Sequence, residues 1–297
     1  MEVSLTYLAD LPLYKDEKPF YALLRPTEAF LARPPGEDWV PEHPLSNLEF
    51  EVHHNIPVHN LRGQEETFSA QKNGFEVLCH MSSLWQVLNT PSAIEAYKRE
   101  VDELLYTKFN AVHTFTFEAR RRRNEQFFSR VYSLGDPMLV EGPATGVHTD
   151  FTVDSGPRTI DTYLAEHEKL LYLGQPGYRF RIVNTWRSLV PVLEDNPLAV
   201  CDSRSVDMAD LVPADRIIPT RAGEVYYGRY NPSQKWYWLD KMTPEEPYMM
   251  IMYDSHGRSD DARFCLHVSF QNSKAPSDAA QRSSIETRSI VITRLDS

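Results

Sequence analysis

Between residue 140 and its end the chain is cut into short runs of strand character, and one of them, ARFCLHVSFQ at 262–271, sets the tightest constraint. Apolar and polar positions alternate through it, the mark of a strand with one face covered and the other lining something polar. Phe264, Leu266, Val268 and Phe270 form the apolar row, while Arg263, Cys265, His267 and Ser269 form the row that faces inward. Further runs follow the same logic at GVHTDFTVD (146–154), Tyr178–Leu189, Leu198–Asp202, Gly223–Tyr230, Tyr248–Asp254 and Ser284–Arg294. So many strands, with helices before them, predict a mainly β fold with flanking helices, a β-sandwich or jelly-roll barrel whose interior is a cavity.

Two helices stand out. The first opens at Thr90-Pro91 and carries Ile94, Tyr97, Val101, Leu104 and Leu105 at helical spacing. The second follows Pro157, with Ile160, Tyr163, Leu164, His167, Leu170 and Leu171 on one stripe, and closes near Gly174; His167 is thereby expected to be a packing residue. The Pro-rich stretches at 26–44 and 272–282 are too short to separate domains. One domain over 1–297 is expected, with 1–140 an N-terminal extension carrying the buttressing helix and 141–297 the barrel core.

Charge narrows the class of partner. The 31 Lys and Arg against 42 Asp and Glu leave −11, which argues against nucleic acid, because phosphate binding needs a clustered positive field. The run Arg120-Arg121-Arg122-Arg123 has two readings, an anionic-ligand site and a solvated face, and the solvated face is expected. No stretch approaches the length of a membrane span, and the first residues lack the basic start and apolar run of a secretion signal, so a cytoplasmic chain without a membrane partner is expected. The three cysteines, Cys79, Cys201 and Cys265, lie far apart and suggest neither a disulfide framework nor a thiolate zinc site.

Chemistry concentrates in the strand runs. His148 and Asp150 stand two apart in V-H-T-D-F, so they project from one strand face as an imidazole beside a carboxylate. With inward-facing His267 they form two histidines and one carboxylate, which occupy one face of an octahedron and leave adjacent positions open. That arrangement suits non-haem Fe(II) handling O2 and a chelating co-substrate. In the last strand Arg282, Ser284, Glu286 and Arg288 share a face. An arginine with a serine two residues on offers a fork and a hydroxyl to a carboxylate, as the far end of 2-oxoglutarate requires. Arg282 and Ser284 are the first candidates and Arg288 the reserve; a ladder of Arg and Glu pairs is the competing reading.

Asn184 and Trp186 lie on one strand face with Phe180 and Ile182. Asn184 either hydrogen-bonds a bound carboxylate or is a satisfied core residue, and Trp186 either walls the pocket or fills the core. Among the aromatics of 226–238, Tyr227 and Trp238 are candidates for a substrate entrance, with hairpin packing as the alternative. His53-His54 and Cys79-His80 are rival ligands on paper, but adjacent strand residues face opposite ways, so both pairs are read as structural.

The residues resemble a known family, the AsaB-type hydroxylase/desaturase enzymes among the iron/2-oxoglutarate oxygenases, related to gibberellin desaturases and a cephem methoxylase component. The resemblance runs through NGFEVLCH at 73–80, VHTDFT at 147–152, RIVNTWRSLVPVLEDNPLAVCDSRSVD at 181–207, QKWYWLDKMTPEEPYMMIMYDS at 234–255, ARFCLHVSF at 262–270 and RSSIETR at 282–288. It implies a double-stranded β-helix, a cupin-like jelly-roll, with iron on His148, Asp150 and His267. It also implies 2-oxoglutarate and O2 as co-substrates, converted to succinate and CO2 while a small, largely apolar natural product is hydroxylated, desaturated or otherwise oxidised. One departure is local: family members often carry Pro after the Trp-Arg pair, and here Ser188 follows Trp186-Arg187. A metal-dependent hydrolase or isomerase on the same barrel with zinc or manganese, and a non-catalytic binding barrel, are the alternative readings. Whether the chain forms a homo-oligomer is left open.

Overall fold

The computed structural model describes residues 1–24, 41, 43–125, 135–256 and 261–295; most of the Pro-rich stretch at 26–44 lies outside them. The first half contributes strands β1 (Glu2–Leu8), β2 (Phe20–Ala22), β3 (Phe50–Asn60), β4 (Phe75–Val77) and β5 (His113–Arg123). The next strands are β6 (Val140–Glu141), β7 (His148–Thr149), β8 (Tyr178–Ser188), β9 (Leu198–Cys201) and β10 (Leu211–Ile218). The chain continues with β11 (Arg221–Gly228), β12 (Trp236–Trp238), β13 (Tyr248–Asp254), β14 (His267–Ser269) and β15 (Ser283–Arg294). Four α-helices are found among the described residues: α1 (Ala70–Asn73), α2 (Pro91–Phe109), α3 (Ser155–Tyr163) and α4 (Glu166–Tyr172).

Two curled sheets form the expected jelly-roll. Nine strands run in the order β1-β3-β12-β9-β14-β7-β11-β10-β2, and six in the order β4-β13-β8-β15-β5-β6. Alternation distributes each strand between two cores: Leu198 and Val200 of β9 join the cluster holding Ile182, Trp186 and Ile290 from the opposite sheet, whereas Ala199 and Cys201 join Leu5, Val58 and Trp236. The six-stranded sheet is covered on both faces. Its second face packs Val183, Met249, Ile251 and Val291 against Ile94, Tyr97, Val101 and Leu105 of α2, which explains why β13 is apolar at nearly every position instead of alternating. Helix α2 starts as anticipated, with Thr90 accepting from the Ala93 N–H and Pro91 in the first turn.

Four expectations are corrected. Residues 1–140 are not an extension beside the barrel: β1 and β3 form one end of the larger sheet, and β5 pairs with β15 from Ser283↔Arg123 to Ile292↔His113. The single helix expected after Pro157 is two, because Leu164 and Ala165 turn extended and the Glu168 carboxylate accepts from the Ala165 N–H at 2.8 Å, capping a new helix. Beyond that break the stripe faces water: His167 is exposed and Leu170 is 77% accessible. The strands expected at 146–154 and 262–271 shrink to two and three residues; from Phe264 to Phe270 the facing follows the alternation, whereas Arg263, placed on the inward row, is exposed. Ser188, where a proline was anticipated, closes β8 by accepting from the Val190 N–H at 3.2 Å. Among the described residues no helix is long and apolar enough to cross a membrane.

Gly74 ends α1 in the left-handed region (φ +86°), and a Cβ there would stand 2.6 Å from the Phe264 carbonyl oxygen, in the segment leading to His267. Gly63 has a similar φ of +84° but open space around it. Gly63→Ala is expected to cost about 1 kcal/mol of conformational strain and Gly74→Ala at least about twice that, compared by urea unfolding.

Candidate metal and co-substrate centre

The short strand β7 lies between β11 and β14, with His148 registered directly against Tyr227 on one side and His267 on the other. That pairing brings the two imidazole rings to 4.3 Å between centroids. Asp150 follows one residue beyond β7, and one ligand atom from each of His148, Asp150 and His267 falls within 4.8 Å of the others. Each ring is oriented by a carbonyl. The His148 Nδ1–H donates to Gly146 at 2.8 Å and the His267 Nδ1–H to Cys265 at 3.1 Å, which leaves both Nε2 lone pairs facing the carboxylate. His148 Nε2 lies 3.8 Å from Asp150 Oδ1, and buried His267 Nε2 has no hydrogen-bond partner among the described residues. A buried, unpartnered acceptor beside a carboxylate and a second imidazole fits a divalent cation.

Electrostatics keep the donors in their ligating forms. Burial, and then the neighbouring His267, lower the His148 pKa to about 4, and burial lowers that of His267 as well, so both rings are neutral near pH 7. Burial would raise the Asp150 pKa, but the Arg288 guanidinium outweighs it and holds the carboxyl far below the usual range. Arg288 donates through Nε and Nη2 to the two Asp150 oxygens, both at 3.0 Å. Its remaining bonds go to Glu118 and Glu286, and Asn184 Nδ2 spans Asp150 and Glu286. Glu286, bridged in this way, has its pKa raised by burial against the opposing pull of Arg288.

The structure therefore divides the residues expected on the inner face. Arg288, the reserve for the co-substrate carboxylate, is committed to three protein carboxylates, and Asn184 touches Asp150 instead of a free space. Arg282 is different. It is 1% exposed and bonds Ser269, the Asn196 carbonyl and Ser284, stacks on the Trp186 ring at 5.2 Å, and has no carboxylate ion pair among the described residues. Burial, and then the nearby Arg122, lower its pKa to about 9. Trp186 is thus a buried platform under Arg282 and part of the inter-sheet core, not an exposed pocket wall. Trp238 is also core, packed edge-on to Phe270 at 5.7 Å on the other face of its sheet, so it is withdrawn from the entrance. Tyr227 does line the cavity.

That cavity, of about 1330 Å³, opens onto His148, Asp150 and Arg288 and is walled by Tyr21, Phe50, Phe117 and Phe151. Arg120 and Arg122 line it, whereas Arg282 and Ser284 are buried and do not. The arginine run is consequently not a solvated face. Arg120 pairs with Glu118, Arg122 donates to the Gly142 carbonyl at 2.9 Å, and Arg121 turns the other way to the Leu88 and Met138 carbonyls. The period-two set Glu118, Arg120, Arg122 was the available signal, obscured by the charges between. His53, stacked on Tyr230 at 4.0 Å, and His80, bonded to Arg187, are structural as expected.

A family model described as "Oxidoreductase/YMDC permease-like domain" matches residues 25–292. The hydroxylase/desaturase efuI of Hormonema carpetanum is 31% identical over 257 residues, covering 80% of this chain and 82% of that protein. The Fe(II)/2-oxoglutarate-dependent dioxygenase nvfI of Aspergillus novofumigatus is 25% identical over 245 residues, covering 80% and 83%. Among solved structures, an iron and alpha-ketoglutarate-dependent endoperoxidase, NvfI, superposes with a TM-score of 0.79 at 22% identity over 99% of this chain and 98% of its own, sharing the fold.

Glu118 offers a test of the charge network. Burial would raise its pKa, but Arg288 and Arg120 hold it down to about 2 from an ordinary 4.5. A carboxylate depressed on folding stabilises the native state above its unfolded value and loses that contribution as pH falls through the folded one. The stability advantage of wild type over Glu118→Gln should thus shrink by up to about 3 kcal/mol as pH falls from about 5 to about 2, measured by urea unfolding.

Proposed function

Because the chain belongs to the hydroxylase/desaturase family of Fe(II)/2-oxoglutarate-dependent dioxygenases, we propose that His148, Asp150 and His267 hold its iron and that Arg282 with Ser284 receives the distal carboxylate of 2-oxoglutarate. The convergence of those two neutral imidazoles and one ionised carboxylate, with His148 and Asp150 lining a large cavity, carries the assignment. When bound there, iron with 2-oxoglutarate and O2 supplies the oxidising equivalents that remove hydrogen from a substrate C–H bond, 2-oxoglutarate leaving as succinate and CO2.

The protein's own part is placement. The Gly146 and Cys265 carbonyls fix the two rings, and Arg288 with Asn184 aims the Asp150 carboxylate. Arg282, buried over Trp186 with hydroxyl and carbonyl partners only, is a cation waiting on an anion, and Ser269 and Ser284 set its fork. The aromatic wall of Phe50, Phe117, Phe151 and Tyr227 suits a largely apolar small-molecule body, held so that one bond faces the metal and bulk water is displaced. Reduced Cys79, Cys201 and Cys265 accord with a cytosolic enzyme.

Anaerobic titration separates this reading from its rivals. Fe(II) and 2-oxoglutarate together should give a weak visible charge-transfer band that neither gives alone; a zinc hydrolase gives none, and a binding barrel requires no metal. His148→Ala should abolish iron retention and succinate formation while the thermal melt stays cooperative. Arg282→Ala should weaken 2-oxoglutarate roughly 10- to 150-fold with iron affinity little changed, the loss of a charge-assisted hydrogen bond being about 1.5–3 kcal/mol. Arg288→Ala should act first on iron, through Asp150. Loss of 2-oxoglutarate binding in the Arg288 variant alone would reverse the assignment of the two arginines.

A further inference from the structure

The cavity's charges do not balance along its length. Near the metal ligands each lining arginine has a carboxylate: Arg288 has Asp150, Arg120 has Glu118 and Arg122 has Glu141 at 3.5 Å. Towards the far end, Arg216 of β10 and the exposed Arg221 of β11 line the same cavity with no ion pair among the described residues; Arg158 beside them donates to the Asp154 carbonyl, and Asp136, the acid lining that part, accepts from the Met138 N–H. The acids closest in register are taken elsewhere. Asp215 and Glu224 face each other across the hairpin and both bind Lys18, with Glu224 accepting from Thr152 as well.

Their surroundings prepare a site for an anion. Arg216 is half-buried and registered against Gly223, whose missing side chain leaves room above the sheet, and against Tyr21 of β2 on its other side. The Arg221 guanidinium lies over the Tyr163 ring at 5.3 Å, which orients it without neutralising it. Distance is set by the strand. Gly223, opposite Arg216, lies four residues from Tyr227, which is paired to His148; at about 3.3 Å per residue that is about 13 Å along β11. Of the aromatic wall, Phe50 packs on Tyr227 at 5.3 Å beside His148, and Phe117 stacks at 4.3 Å on Tyr163, the ring under Arg221.

We propose that Arg216 and Arg221 bind an anionic group of the substrate, a carboxylate on an aromatic or polycyclic body, at the end of the cavity away from the metal ligands. The inference rests on the oxygenase reading and names the substrate class: an amphiphilic organic acid, its apolar body along the aromatic wall and its oxidised carbon about 10 Å or more from the acid group. An arginine pair fits this role because planar guanidinium groups grip a carboxylate through two parallel hydrogen bonds.

The test uses the full chain, 2-naphthoate and its neutral amide, 2-naphthamide, followed by isothermal titration without metal. Wild type should bind naphthoate at least about tenfold more tightly than the amide, corresponding to about 1.4 kcal/mol. Arg216→Gln/Arg221→Gln should erase that preference while amide affinity stays within about twofold, and Arg216→Lys/Arg221→Lys should retain part of it because the charge remains. Preference for the anion that survives the Gln pair, or naphthoate displaced competitively by 2-oxoglutarate, would overturn the proposal. The His148→Ala protein should keep the preference. Failure of the iron assignment would therefore show in the metal titration alone, and failure of the anion site in the naphthoate titration alone.

Discussion

One guanidinium, that of Arg288, sits where three carboxylates converge inside the barrel, and the centre depends on it. Asp150, Glu118 and Glu286 come from three strand regions that meet only in the fold, and three negative charges in so dry a space would neutralise by protonation if unopposed. Arg288 keeps Asp150 ionised there by donating to both of its oxygens, and Asn184 adds a second donor to Oδ2. Such a network need not stabilise the fold, since buried ion pairs often do no better than well-packed apolar side chains. Its contribution is orientation: the carboxylate stands aimed at the two rings before any ligand arrives.

The centre was legible in the sequence to the extent that strand alternation determines it. His148 and Asp150 two apart, and His267 on the polar row of its run, fall together because period two survives even where the regular strand shrinks to two or three residues. What escaped is what depends on partners distant in sequence. Arg288 and Arg282 are equivalent on the page, six residues apart on one face, and only the positions of Glu118, 170 residues away, and Trp186 give them different tasks. The same is true of Trp238, whose strand is short and whose facing is set by pairing with β9 and β3.

The first half of the chain was the less transparent. β5 carries Arg120 to Arg123 at its end, and four like charges in succession resemble a solvated run until the sheet sends alternate members to opposite faces. β1 and β3 lie at the end of their sheet, where β3 is exposed at most positions and gives no apolar rhythm. Helix α2, by contrast, followed its capping threonine, first-turn proline and apolar stripe, because all three signals are local and agree.

The larger sheet has a seam. β7 meets β14 through a single registered pair, His148 with His267, so the strands on either side of that point are joined there by less backbone than anywhere else along the row. The two side chains that converge above the seam belong to the same two residues that form it. Whatever grips both rings at once therefore acts as a rivet between the two parts of the sheet, and ligation and sheet continuity become one mechanical property of the barrel.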